Sequence, residues 1–143
     1  QNRQWTVCRC QRVTTMIVRI AYLEGNVKPA DLERFDAFIA SEVVPLMKRF
    51  PGVRSVRVMR AQTIEENGQP LHMTFESVYD SVEAMNHAFT FPVRQELKAK
   101  MAQIMPLFTG RLFHITQHLI ANDAVQPNPE EPAAASTVPK PAG

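Results

Sequence analysis

The chain has 143 residues, with 16 Lys and Arg against 14 Asp and Glu, for a formal net charge of +2. Residues 1–15 hold three arginines and no acid, whereas residues 16–122 hold 12 basic and 11 acidic residues. A nearly neutral body lacks the basic face of a nucleic-acid-binding domain, so we expect no nucleic-acid partner. The sequence contains no run of about 18 apolar residues, so we expect a soluble protein with no membrane partner.

The cysteines and the first residues bear on compartment and domain limits. Cys8 and Cys10 lie one residue apart, so they cannot staple a domain, and the sequence has no second pair to complete a zinc site. Reduced thiols fit the cytoplasm, which is the expected location. Residues 1–15 lack the apolar segment of a secretory signal, and Met16 opens the first strand-like run. We interpret residues 1–15 as an N-terminal extension, either flexible or foreign to the folded unit.

The C-terminal residues differ in composition from the rest. Five of the 11 prolines fall in residues 127–141, beside an alanine triplet. Such a segment cannot bury enough apolar surface to fold alone. We therefore expect a disordered tail over residues 123–143 and one folded domain over residues 16–122.

The first half of that domain reads as a strand followed by a helix. Residues 16–23 are apolar except for Arg19, which is typical of a central strand buried on both faces. Gly25-Asn26 is expected to end it. Residues 30–50 carry apolar side chains at spacings of three and four, which predicts an amphipathic helix. Pro45 is expected to kink or break that helix, because its ring clashes with the carbonyl of residue 41.

Two strands and a turn follow. Residues 53–64 mix β-branched residues with arginines, as an edge strand does. Asn67-Gly68 is a strong turn signal, so the strands on either side of it are expected to form a hairpin. Residues 71–79 alternate between two faces, with Leu71, Met73, Phe75 and Tyr79 on one face and His72, Thr74 and Glu76 on the other.

The remaining elements are helical and then extended. A short helix is predicted through Phe89, a second from Pro92 to Phe108 that Gly110 stops, and a last strand over residues 111–120. The order β-α-β-β-α-β predicts an α+β, ferredoxin-like fold with a four-stranded antiparallel sheet in the order 4-1-3-2 and helices on one face. A sheet with apolar residues on both faces must cover the second one, so we expect a homodimer.

Two runs carry a resemblance to a known family. The run from Val44 to Val53, Val-Pro-Leu-Met-Lys-Arg-Phe-Pro-Gly-Val, and the run from Tyr79 to Met85, Tyr-Asp-Ser-Val-Glu-Ala-Met, resemble EthD-type proteins of the dimeric α/β-barrel superfamily. The resemblance implies two ferredoxin-like subunits packed sheet to sheet, each with a pocket between sheet and helices. Relatives include muconolactone isomerases, cofactor-free quinone-forming monooxygenases and haem-handling proteins. Val43 stands where the family commonly has histidine, so no function of that histidine is carried over.

Candidate chemistry rests on a few polar residues of the predicted sheet. His72 and His114 are expected to flank the first strand, which bears Arg19 and Tyr22 on opposite faces, while Glu76 shares the face of His72. A neutral imidazole can take an acidic carbon or phenolic proton, and an arginine can hold the resulting anion. We therefore take the two histidines as candidate catalytic residues and the other three as candidate ligand-binding residues. A buried Arg19 requires either a carboxylate such as Glu76 or an anionic ligand, and we expect the carboxylate.

Metal binding and cofactors are not expected. His114 and His118 are four residues apart, which on a strand separates them by about 13 Å, too far to share one ion. Two functional hypotheses remain. The first is a small cofactor-free enzyme or catabolic accessory protein that binds a hydrophobic, aromatic or lactone-like molecule and uses histidine-based proton transfer, as an isomerase or a monooxygenase-like enzyme does. The alternative is a non-catalytic dimeric ligand-binding or assembly module.

Overall fold

The computed structural model describes residues 15–127. In chain order the elements are β1 (Ile17–Val27), a 3-10 turn (Pro29–Asp31), α1 (Leu32–Phe38), a π-helical turn (Ile39–Val43), α2 (Val44–Met47), β2 (Ser55–Arg60), β3 (Met73–Tyr79), α3 (Val82–Ala88), α4 (Val93–Ile104), a second 3-10 turn (Met105–Leu107) and β4 (Phe108–His118). The expected N-terminal extension and tail fall almost wholly outside the described residues. Within the described part, no helix has both the length and the apolarity that a membrane crossing requires.

The four strands form one sheet in the order β2-β3-β1-β4, and each neighbouring pair is antiparallel. This order is the predicted one, and the alternation of strands and helices confirms the α+β, ferredoxin-like architecture. β1 is central and pairs with β4 along its whole length, from Ile17 opposite His118 to Val27 opposite Phe108.

The register divides the sheet into two faces. In β1, Ile17, Arg19, Ala21 and Leu23 share one face with Phe75, Ser77 and Tyr79 of β3, because these residues are register partners. The helices cover this face, since Phe35 and Ile39 pack in one cluster with Leu23 and Phe75. We call it the helix-side face. The opposite face, which carries Ile20, Tyr22 and Glu76, is the open face.

Two apolar clusters lie between the sheet and the helices. The larger one contains Phe35, Ile39, Phe75 and Phe108, and the smaller one contains Ile17, Phe50, Tyr79, Met85 and Val93. The core is therefore divided along the strands instead of being continuous, which leaves space at the junction.

The first helical segment changes its hydrogen-bonding pattern just before Pro45. The π-helical turn Ile39–Val43 separates α1 from α2, and Pro45 lies near the start of α2. Proline has no N–H to donate to the carbonyl of Ser41, and its ring excludes that carbonyl, so the regular helix cannot continue through it. The expected break is confirmed. Val43, the last residue of the π-helical turn, is buried in the core.

Two glycines extend the central strand pair beyond its expected limits. Gly25 does not end β1, and Gly110 does not merely stop a helix, because the two are register partners inside β1 and β4. Their φ angles are +150° and +148°, and a Cβ on either would come within 2.1 Å of a carbonyl oxygen of the opposite strand. Glycine is required because the backbones approach more closely than any side chain permits. The two glycines that the sequence suggested as the ends of elements instead allow this close backbone contact.

The turn expected at Asn67-Gly68 exists, but inside a longer connection. Asn67 has a φ of +69°, and the N–H of Gly68 donates to the carbonyl of Glu65 at 3.0 Å. β2 ends at Arg60 and β3 begins at Met73, so the two strands are joined by a loop that contains the turn.

Candidate active site at the junction of the two clusters

A cavity opens between the helix-side face and the helices, where the two apolar clusters meet. It encloses ≈ 610 Å³ of space between atoms, the open mouth included. The sheet contributes Arg19, Ala21, Phe75, Ser77, Tyr79, Leu112 and His114 to its wall. The helical side contributes the apolar residues Val43, Met47, Phe50, Phe89, Leu97 and Met101. The site thus combines a largely apolar wall with a few polar groups on the sheet, as ligand pockets generally do.

Arg19 enters the cavity wall from the middle of the central strand. Its guanidinium carbon lies 4.5 Å from the centre of the Phe89 ring, and the guanidinium carbon of Arg94 lies 4.7 Å from the same ring. These are cation–π contacts. Burial lowers the pKa of Arg19, and the neighbouring charge of Arg94 lowers it further. Two positive charges are therefore held at one aromatic ring.

In the part of the chain that the structure describes, no carboxylate neutralises this pair. The ion pairs formed within residues 15–127 include neither Arg19 nor Arg94. The expected partner, Glu76, binds Arg57 instead, at 2.7 Å, because β2 and β3 place the two residues opposite each other on the open face. The expectation that Glu76 pairs with Arg19 is wrong, since the sheet itself separates them.

His114 lies in the same wall as Arg19. β4 places it on the helix-side face, opposite Ala21 of β1. Partial burial lowers the pKa of its imidazole, and the charges of Arg19 and Arg94 lower it further. The ring is therefore neutral at pH 7 and can accept a proton from a bound molecule.

His72 lies elsewhere, inside the larger apolar cluster. It is 7% exposed, its ring centre is 5.2 Å from that of Phe35, and Phe108 packs nearby. Its Nε2 is 3.8 Å from Oδ1 of Asp36, and neither atom has a hydrogen-bond partner. Burial lowers the pKa of His72, and Arg60 adds to this while Asp36 opposes it. His72 is absent from the cavity wall.

The position of His72 breaks the expected strand alternation. His72 precedes β3, and its backbone N–H donates to the carbonyl of Leu23 at 2.8 Å. His72 and Met73 are both buried although they are consecutive. The prediction that His72 and Glu76 share a face is therefore wrong, because regular alternation begins only after His72.

Tyr22 and Glu76 occupy the open face and do not line this cavity. The ring of Tyr22 stacks on Phe113 at a centre-to-centre distance of 5.0 Å. Arg19 and Tyr22 do lie on opposite faces, as the sequence predicted. Of the five candidate residues, the structure thus brings only Arg19 and His114 together in one cavity.

Four wall or near-wall residues escaped the sequence analysis as functional candidates: Ser77, Tyr79, Phe89 and Arg94. Tyr79 is buried, which raises the pKa of its phenol, while a hydrogen bond with Ser77 and the charge of Arg19 oppose the rise. Strand alternation could have identified Ser77 and Tyr79, because they share the odd-numbered face of β3 with the apolar residue Phe75. Placing Arg19 opposite Ser77, however, needs the strand register. Within residues 15–127, no group of three or more His, Cys, Asp or Glu side chains is arranged to hold a metal ion.

Comparisons with known proteins identify the fold. No family model matches the sequence, and no curated protein matches it. Among solved structures, an ethyl tert-butyl ether D (EthD) family protein from Bacillus halodurans C-125 is similar, with a TM-score of 0.56 and 24% identity over 70% of this chain and 96% of that chain. A dimeric protein of unknown function with a ferredoxin-like fold, from Bacteroides fragilis NCTC 9343, gives a TM-score of 0.53 and 13% identity over 72% and 95% of the two chains.

A third similar structure, from Caulobacter crescentus CB15, is provisionally named an antibiotic biosynthesis monooxygenase. It gives a TM-score of 0.52 and 19% identity over 81% of this chain and 95% of that chain. At these identities the likeness concerns the fold. The chain therefore has the ferredoxin-like fold of EthD and antibiotic-biosynthesis-monooxygenase-like proteins, and the resemblance found in its sequence is confirmed at that level.

Proposed function

We propose that this protein is a small enzyme that binds a hydrophobic, aromatic or lactone-like molecule in the cavity and moves a proton with His114. The observation that carries the proposal is the joint position of Arg19 and His114 in the wall of an otherwise apolar cavity. The fold likeness to an EthD family protein and to a protein provisionally named a monooxygenase supports an enzyme-like small-molecule site.

The chemistry begins with the neutral imidazole of His114. Its lowered pKa leaves a nitrogen free to remove an acidic carbon or phenolic proton at pH 7. The resulting anion is stabilised by the positive charge of Arg19 in the same wall. Return of the proton to another carbon completes an isomerisation. Alternatively, dioxygen oxidises the anion of a phenol, with one oxygen atom entering the product as a quinone carbonyl and the other leaving as water, as in a monooxygenase-like reaction. Both reactions start from the same step.

Turnover tests this proposal. A panel of phenols and lactones is incubated with the protein, and kcat/KM is measured for any substrate that reacts. We expect His114→Gln to lower kcat by about 10²- to 10⁴-fold, because general-base catalysis contributes about that much. His118→Gln is the matched control, since His118 is on the same face of β4 but outside the cavity wall. Equal rates for His114→Gln and wild type would contradict the assignment.

One observation favours the second candidate, a binding module without turnover. Arg19 and Arg94 are the charged groups that lower the pKa of His114, and no carboxylate of residues 15–127 lines the cavity. Catalytic histidines are usually oriented by an acid or a carbonyl. A ligand that binds in the cavity and is recovered unchanged after prolonged incubation, with none of the panel consumed, would support this candidate.

We also propose that the functional unit is a homodimer joined through the open face. That face carries the apolar residues Ile20, Tyr22, Phe113 and Ile115, and Ile115 is 41% exposed. The ion pairs Arg57–Glu76 and Arg111–Glu24 lie at its sides. An apolar centre with a polar rim is the usual composition of an interface. The similar protein from Bacteroides fragilis is described as dimeric.

Sedimentation velocity tests the dimer. Ile115→Asp should convert the dimer to monomer at micromolar concentration, because it places a charge in the centre of the apolar surface. Ile64→Asp is the control, since Ile64 is similarly exposed but lies in the loop between β2 and β3. A wild-type monomer at the same concentration would overturn the proposal.

A further inference from the structure

We infer that Arg19 and Arg94, on the ring of Phe89, form a binding subsite for the carboxylate of an aromatic or other apolar organic acid. The inference rests on the proposed function, because it requires the ligand to occupy the cavity. It adds the class of ligand, an anion with an apolar body, which neither the fold nor the comparisons indicate.

Holding Arg19 and Arg94 on one ring is energetically costly. Arg19 projects from a central strand, and it shares the ring of Phe89 with a second guanidinium group. Two like charges repel, and a partly buried guanidinium loses part of its hydration. Cation–π contacts offset part of this cost but supply no negative charge. The pair therefore remains without a counter-charge in the described part of the chain.

Five of the six other arginines within residues 15–127 are neutralised by carboxylates, and the sixth, Arg34, is exposed to solvent. Arg49, Arg54, Arg57, Arg60 and Arg111 each bind a carboxylate at 3.2 Å or less. All five are more than half exposed, so they need this neutralisation less than a half-buried arginine does. Arg19 and Arg94 differ from these five, because neither forms an ion pair within residues 15–127 although Arg19 is partly buried.

A carboxylate on an apolar body suits the two unpaired arginines. Guanidinium groups bind carboxylates with paired, charge-assisted hydrogen bonds. The wall beyond Arg19 is apolar, with Phe50, Met47, Leu97 and Met101, which suits an aromatic or aliphatic body. His114 is in the same wall, so a carboxylate on Arg19 leaves the body of the ligand within the part of the cavity that contains the proposed base. The subsite would fix the orientation of the ligand relative to His114.

A matched pair of probes tests the inference. 2-Naphthoate and 2-naphthol have nearly the same shape, but only the first is an anion at pH 7. Isothermal titration calorimetry on the full chain should show naphthoate binding at least about tenfold more tightly, with an affinity that falls as salt is raised. The affinity for naphthol should be insensitive to salt.

Three arginine variants complete the test. Arg19→Met and Arg94→Met should each weaken naphthoate binding by about 10- to 100-fold, since a hydrogen bond to a charged group is lost, and should change the affinity for naphthol much less. Arg94 is on a surface helix, so this variant keeps the test valid if Arg19→Met does not fold. Arg49→Met is the control, because Arg49 is paired with Glu96, whereas the cation–π contacts on the Phe89 ring are those of Arg19 and Arg94. It should leave both affinities unchanged.

The outcomes separate this inference from the proposed function. If both probes bind equally to wild type, or if naphthoate affinity survives both cavity variants, the carboxylate subsite is overturned while the cavity remains a ligand site. If neither probe binds, the proposed function is overturned, and the subsite with it.

Discussion

The space between the sheet and the helices is filled in the larger apolar cluster, here called the closed end, and open where that cluster meets the smaller one, here called the open end. At the closed end, Phe35, Ile39 and Phe108 pack around His72. At the open end, Arg19, Phe89 and His114 surround the cavity. Both ends contain a histidine with a lowered pKa and charged neighbours. Only the open end gives a ligand access, so packing decides which histidine can act on a substrate.

Replacing a large side chain by alanine should show the largest difference in stability between the two ends. Phe35 is completely buried at the closed end. Phe35→Ala should destabilise the fold by about 3–5 kcal/mol, because it leaves a cavity in a filled core. Met101→Ala, in the wall of the open end, should cost less than about 2 kcal/mol, because that side chain already borders unfilled space. Urea unfolding measures both. Equal losses would show that the two ends are packed alike.

The next largest effect concerns the glycine contact beneath the ring of Phe108. A Cβ at Gly110 would lie 2.1 Å from the carbonyl oxygen of Glu24 and 2.9 Å from the Phe108 ring. Gly110→Ala should cost about 3 kcal/mol through clash and backbone strain. Gly52→Ala is the control, since Gly52 has a φ of +78° but nothing within 4 Å of the added Cβ. It should cost about 1 kcal/mol. If the two variants lose the same stability, backbone strain alone, without a steric clash, explains the requirement for glycine at position 110.

These elements show how far sequence reasoning reached. The break before Pro45 followed from a local rule, because proline geometry acts within one helical turn. The strand order followed indirectly, because local periodicity gives the order of elements and that order is typical of a ferredoxin-like sheet. The role of Gly25 and Gly110 did not follow, since it depends on two strands 85 residues apart in sequence meeting at one register position.

Only part of the site was predictable, because local sequence patterns do not give contacts between segments that are distant in the sequence. Arg19 and His114 were selected by residue type and strand position, and both are in the cavity wall. His72 was placed by strict alternation, which fails because the chain enters β3 with two buried residues in succession. Arg94 and Phe89 join the site through helix packing against the sheet, which no local pattern in the sequence encodes.

The pH dependence of stability should identify the closed-end histidine. Burial lowers the pKa of His72 in the folded state below its unfolded value, near 6.5, so the unfolded chain binds a proton that the folded chain does not. Stability is therefore complete above about pH 6.5 and falls as the pH drops, by up to about 1.4 kcal/mol per unit. Urea midpoints from pH 8 to pH 5 measure this decline.

Variants assign that decline to one end of the molecule. His72→Gln should flatten the profile between pH 6.5 and 5, because the group that must lose its proton on folding is gone. His114→Gln should flatten it less, since the exposed imidazole can remain hydrated when charged. A larger effect of His114→Gln would mean that the open end, and not the buried one, controls acid stability.

The smallest expected effects are stability changes of opposite sign in two arginine variants. Arg94→Met removes one of two like charges at the open end, where no acid of residues 15–127 forms an ion pair with them. The methionine can replace the cation–π contact with a sulfur–aromatic contact to Phe89, so at low salt the variant should raise stability by up to about 0.5 kcal/mol. Arg49→Met removes a charge that Glu96 neutralises, so it should lower stability by a similarly small amount. Both differences should vanish at about 1 M salt. A charge pair that weakens the free fold is the arrangement expected where a ligand supplies the missing anion, so a stability loss in Arg94→Met would indicate that Arg94 serves the fold.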